Sequence, residues 1–99
     1  MTHLQVIIEA AAEVCGIGAG DVIGSNQQRQ ACDARAIAVR LARIHTRASY
    51  PEIAHAFGRR HHSTMVAAHQ RAQRLITDDE DFRRRYQAAE ERVLREVVP

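Results

Sequence analysis

Ninety-nine residues suffice for one domain built around one modest core. No run of about 18 apolar residues occurs, which excludes a membrane-spanning helix, and the first fifteen residues lack a basic start and carry Glu9 and Glu13, unlike a secretory signal. The formal charge of +2 hides an asymmetry: all 14 basic residues are arginine, and residues 22–77 hold nine of them against only Asp33 and Glu52, a local net of +7. A basic middle of this kind suggests a polyanion partner; the competing reading is a solvated charged face.

Residues 4–15 place Leu4, Ile7, Ile8, Ala11, Ala12 and Cys15 at the spacing of one buried helical stripe, which Gly16 and Gly18 stop. Residues 19–23 form a short helical turn with Val22 and Ile23 tucked in, and residues 24–28 are a polar loop. A longer helix runs over residues 31–45, with Ala34, Ile37, Ala38, Leu41, Ala42 and His45 on one face. Arg35, Arg40, Arg43 and Arg47 project away from that face, and the many alanines predict a thin core. Cys15 and Cys32, isolated and without metal spacing, read as buried reduced thiols of a cytoplasmic protein.

Residues 49–57 form the third helix. Ser49 and Glu52 have capping-box spacing, Pro51 sits in the first turn, and Gly58 supplies the left-handed position after the last turn. A fourth helix over residues 62–76 turns Met65, Val66, Ala68, His69, Ala72, Leu75 and Ile76 inward. His69 reads as packed and hydrogen-bonded, and Tyr50 as a packing residue. Thr77 then caps a last helix over residues 78–97, whose stripe of Phe82, Tyr86, Ala89, Val93 and Val97 docks on the rest of the domain. Its second reading is the seam of a homodimer. The chain is thus expected to be all-α, with a helix-turn-helix domain over residues 1–77 and an accessory C-terminal helix over 78–99.

Between the glycine turn and the first apolar residue of the fourth helix lie Arg59, Arg60, His61, His62, Ser63 and Thr64. A helix that opens on so many polar residues is not built to bury its start. Its positive dipole end and two arginines favour phosphate, and the short His, Ser and Thr side chains can reach base edges from a major groove. With a capped helix and a glycine turn before it, the pattern reads as a helix-turn-helix that binds double-stranded DNA.

The stretch SYPEIAHAFGRRHHSTMVAA resembles the signature of the C-terminal DNA-binding domain (domain IV) of the bacterial replication initiator DnaA. ARAIAVRLARIHT, upstream, resembles that family's preceding long helix. The likeness covers residues 7–76 and implies a TrpR-like helix-turn-helix. It also implies that the family's base-reading His-Thr-Thr falls on His62, Ser63 and Thr64, with Arg60 the motif arginine before them. Arg35, Arg43, Arg47 and Ser49 would hold phosphates, and the ligand class would be a nine-base-pair AT-containing box. Two departures stand out. His61 replaces an Asp that can cap the helix and accept from a cytosine amino group, so the preferred box is expected to differ. The family's basic minor-groove loop aligns with residues 25–29, where Gln27 takes the inserting position and only Arg29 is basic.

No Gly-rich Lys-Ser/Thr phosphate loop occurs, so no nucleotide is expected and occupancy of DNA is the expected output, in replication control or transcription regulation. The histidines lack zinc-site spacing and Ser63 with His62 has no orienting acid, so neither a metal, nor another cofactor, nor an enzymatic role is expected. The alternative to DNA binding is a helical protein-interaction adaptor whose DNA-binding face has decayed.

Overall fold

A computed structural model describes residues 2–59 and 61–97 and gives six helices with no strand among the described residues: α1 (His3–Cys15), α2 (Ala19–Ile23), α3 (Arg29–His45), α4 (Tyr50–Ala56), α5 (Ser63–Asp78) and α6 (Glu80–Glu96). None of them is long and apolar enough to cross a membrane. The all-α expectation holds, and each expected helix is present within a few residues of its expected ends.

α1 opens on a capping box. The Thr2 hydroxyl accepts from the Gln5 amide at 3.2 Å while the Gln5 side chain accepts from the Thr2 amide at 2.8 Å. It buries Val6, Ile7, Ile8, Ala10, Ala11, Ala12 and Cys15, a broader face than the stripe read from its spacing, because it packs on both α3 and α6. Burial pushes the Cys15 thiol up to about 11, which keeps it an unreactive core group. Cys32 is only half-buried, so the buried-thiol reading fits one cysteine and not the other. In α2, Val22 is fully buried but Ile23 is 37% exposed, contrary to expectation; it borders a shallow apolar groove with Leu4 and Ile8.

α3 is the axis of the fold. Every residue from Asp33 to Val39 is buried, so this helix is covered all round rather than along one stripe. It packs on α1, α2, α4, α5 and α6, and its alanines allow that crowding by keeping side chains short. The expected outward row of arginines therefore fails at two positions. Arg35 is buried, and Arg40 is half-buried with its guanidinium over the Tyr86 ring, 5.0 Å from the centroid, and a hydrogen bond to the Tyr86 hydroxyl.

The last two helices are divided by Asp79 rather than Thr77. α5 continues through Thr77 to Asp78, and the Asp79 carboxylate accepts from the Phe82 amide at 3.1 Å as the N-cap of α6. Phe82, Tyr86, Ala89, Val93 and Val97 are all buried in the same core as α1, α3 and α5. The stripe read as either a docking face or a dimer seam is thus covered within the chain. Arg92 ties α6 to α1 through Glu9 at 3.7 Å and Glu13 at 3.4 Å. The boundary expected between residues 77 and 78 falls inside the last turn of α5 and does not separate two cores.

A shared core makes two outcomes testable. Phe82→Ala should cost about 3–5 kcal/mol and shift one cooperative urea transition of the whole domain; a separate early transition confined to α6 would contradict a shared core. The Phe82 amide, aided by the Arg29 charge, holds the Asp79 carboxyl below the usual carboxylate range. Its stabilising contribution is therefore present above the unfolded carboxylate value of about 3.9 and is lost as pH falls through the lower folded value. The melting-temperature gap between wild type and Asp79→Ala should be open at neutral pH and close in acid.

Candidate nucleic-acid interface

The candidate site begins at the start of α4. Ser49 has extended backbone (φ −78°, ψ 164°), and its hydroxyl oxygen accepts from the Glu52 amide at 3.2 Å. The Glu52 carboxylate accepts in return from the Ser49 amide at 3.1 Å and the Ser49 hydroxyl at 2.9 Å. Those bonds hold the Glu52 carboxyl below its ordinary range. The expected capping box is complete, with Pro51 in the first turn.

The other end of α4 closes just as tightly. Gly58 has φ +68°, its amide donates to His55 O at 3.0 Å, and the Arg59 amide donates to Ala54 O at 2.8 Å. This pair of bonds is a Schellman motif, and it needs a residue that tolerates positive φ. Buried Phe57, Ile53 and Ala54 pin the turn to the core. α4 and the path out of it are therefore fixed at both ends before α5 starts.

α5 opens differently. Its N-cap residue, His62, makes no side-chain capping bond, and the first turn holds no acid. His61, His62, Ser63 and Thr64 are all exposed, and the only side-chain bond among them runs from the Thr64 hydroxyl to His61 O at 3.2 Å. Met65 behind them is fully buried and anchors the helix. Arg60 lies outside the described residues.

The remaining expected phosphate ligands divide. Arg43 is exposed beside the start of α4, donating to Ala48 O at 3.1 Å with its guanidinium 4.3 Å from the centre of the Tyr50 ring. Arg47 is exposed and makes no ion pair among the described residues. Arg29 is exposed too, but it pairs with Asp79 at 3.2 Å and Asp33 at 3.8 Å, facing a cleft shared with Asp81 rather than the start of α5. Arg35 does not lie on the surface, contrary to expectation. It is buried, and its guanidinium donates to four backbone carbonyls: Val22 O at 2.9 Å, Asn26 O at 2.9 Å, Gly24 O at 3.1 Å and Asp21 O at 3.3 Å. Its planar fork is engaged in holding the preceding loop, not displayed on the surface. Burial, and then the charge of Arg59, lower its pKa from the ordinary arginine value.

The loop of residues 24–28 and the first turn of α5 border one groove, lined by Gln27, Arg35, Arg59, Thr64 and Arg71. The two segments singled out from sequence as DNA-facing are thus neighbours in space. Arg71 had not been singled out. It pairs with buried Asp33 at 2.9 Å, and Thr64, Ala67, Ala68 and Arg71 follow i, i+3, i+4, i+7 spacing, a signal that could have put Arg71 on the face continuing from the helix start. His69 lies behind this surface, edge-on to Tyr50 with centroids 6.2 Å apart. Its Nδ1 is buried without a partner, so it is packed but not hydrogen-bonded there, and burial followed by the charges of Arg40 and Arg43 lower its pKa. Tyr50 packs against the core edge, as expected.

A short helix capped at its start, a glycine-closed turn and a second helix with a polar, exposed beginning match a known family. The family model described as "Bacterial dnaA protein helix-turn-helix" matches residues 4–72. The chain belongs to the bacterial DnaA helix-turn-helix family. It is 34% identical over 76 residues to the chromosomal replication initiator protein DnaA of Picosynechococcus sp., a match covering 77% of this chain and 17% of that protein. It is 36% identical over 75 residues to the protein of the same name from Thermus thermophilus, covering 76% and 17%. A third relative, also a chromosomal replication initiator protein DnaA, from Synechococcus sp., is 31% identical over 89 residues, covering 90% and 19%. The chain spans about a fifth of the length of the relatives it matches.

Two glycines separate turn geometry from helix propensity. Gly58→Ala should destabilise by about 1–2 kcal/mol, the cost of a left-handed non-glycine residue. Gly20→Ala, inside α2 with open space around a new Cβ, should stabilise by about 0.5–1 kcal/mol. Thermal melts of the two variants report the signs directly.

Proposed function

We propose that this chain binds double-stranded DNA, with α5 entering the major groove and α4 crossing the phosphate backbone. The observation that carries the reading is the start of α5: four consecutive exposed side chains capable of hydrogen bonding, held by a rigid turn, in the basic part of the chain. Membership of the helix-turn-helix family supports it. Base edges fall to His61, His62, Ser63 and Thr64, with Arg60 preceding them in the chain. Phosphates fall to Arg43, Arg47 and the start of α4 at Ser49, with Arg59 beside the groove. Arg29 is a weaker candidate, because two acids already compensate it.

The site differs in chemistry from one that opens on an aspartate. At 61 a histidine replaces the carboxylate acceptor, so the preferred duplex should not require a cytosine amino group at that position. Gln27 offers an amide rather than a guanidinium to a minor groove, which lowers the electrostatic share of binding at the loop. Action is by occupancy, in replication control or transcription regulation in the nucleoid.

Two classes of variant separate the roles in fluorescence anisotropy on a duplex selected from a random pool. Thr64→Ala or His62→Ala should weaken the selected site by about 1–3 kcal/mol and flatten discrimination against other sequences. Arg47→Ala should weaken all duplexes alike and reduce the salt slope by about one. Equal losses on random DNA from both classes would sink base reading, and no binding at low salt would return the chain to the adaptor reading.

A further inference from the structure

The loop of residues 24–28 has little holding it in place from within. Its own bonds are local: the Gln28 amide to Asn26 Oδ1 at 2.8 Å and the Gln27 side-chain amide to Ser25 O at 3.3 Å. From outside, the Cys32 thiol of α3 donates to Gln27 O at 3.6 Å, and two arginines from different elements reach the loop. Arg35 reaches it from α3 and bonds both Gly24 O and Asn26 O. Arg59 reaches it from the turn before α5 and bonds the same Gly24 O at 2.7 Å. Two guanidinium groups therefore converge on one carbonyl, and no acid lies within 4.0 Å of either among the described residues.

We infer that Arg35 and Arg59 are positioning residues that clamp the Gly24 carbonyl and hold the 24–28 loop at a fixed offset from the first turn of α5, so that the two segments meet a duplex as one rigid unit. The inference rests on the DNA-binding reading for its consequence, but the clamp itself is a property of the free protein. A fork with several N–H groups suits this job: one guanidinium spans four carbonyls that a lysine ammonium, a point donor on a flexible stem, cannot span together. The like charges brought together at Gly24 lack a counter-ion within 4.0 Å among the described residues. A DNA phosphate beside the groove supplies one, so the clamp should tighten when duplex binds.

The test uses amide exchange by NMR together with base-resolved selection on the full chain. The reporters are the Gly24 amide, bonded to Gly20 O at 2.9 Å, and the Gln28 amide. Arg59→Met, at a half-exposed turn position, should speed exchange at both amides by about tenfold or more while leaving α1 amides unchanged. Arg35→Lys should do the same despite keeping its charge. On DNA, both variants should lose discrimination at the end of the site beside the loop and keep it under α5, with the salt slope of Arg35→Lys unaltered. Unchanged exchange in Arg59→Met, or wild-type exchange in Arg35→Lys, overturns the clamp. Equal loss of discrimination at both ends overturns the fixed offset. If wild type binds no duplex at low salt, the DNA reading fails, and the exchange data still decide the clamp.

Discussion

The constraint on which the rest of this structure depends is the burial of the middle of α3 on all sides. Seven consecutive residues, Asp33 to Val39, lie in the interior, so polar side chains on this helix cannot all escape to solvent. Each is instead bonded to a different neighbour. Asp33 pairs with Arg71 of α5, Arg35 holds α2 and its loop, Arg40 meets Tyr86 of α6, and His45 sits 2.8 Å from Glu90 of α6. An unpaired buried charge would cost several kcal/mol, so Asp33 and Arg35, the two buried charged residues of the set, require their partners once the helix is central. Replacing the whole set with apolar residues could give an equally stable core. It would not fix where α2, α5 and α6 sit around the axis, because apolar contacts are non-directional.

That arrangement decides which arginines remain available to a partner. The basic middle of the chain looks uniform in sequence, but the structure sorts it. Arg35 and Arg40 are internal, Arg29 and Arg71 are compensated by acids, and Arg43 and Arg47 stay exposed near the start of α4. Formal charge over residues 22–77 therefore overstates the number of free cations. The field it creates is still positive, since internal arginines without acid partners keep their charge. Steering of a polyanion would draw on the whole set, whereas direct contact with a phosphate would draw on the exposed few.

What could be read from sequence follows the range of the interactions involved. Capping, turn closure and helical periodicity are local, and they gave the helix order, the Ser49–Glu52 box and the role of Gly58. The short exposed start of α5 was legible for the same reason, since it depends on an absence of apolar residues within one turn. Burial on the second side of α3 was not legible, because it depends on α6 returning from far along the chain to cover it. Arg40 was misplaced by that missing cover, and Arg35 by the cover that α2 and the loop after it provide. Thr77 reads as a cap in sequence, but α5 continues past it and Asp79 takes that place. The adjacency of the 24–28 loop and Thr64 is likewise tertiary.

The helix starts themselves argue for where an anion belongs. α1 and α4 carry complete capping boxes, and α6 has Asp79 with Glu80 and Asp81 in its first turn. α3 begins without a side-chain cap, but the arginine at its first position is held by Asp79 and Asp33. α5 has neither a capping bond nor a first-turn acid, although it is sixteen residues long. A negative group at such a helix end is worth about 0.3–1 kcal/mol at an exposed surface, and its absence is a cost the free protein carries. With His62 as its N-cap and His61 before it, the helix end is positive and uncapped, so an anion docked there would stabilise the first turn of α5.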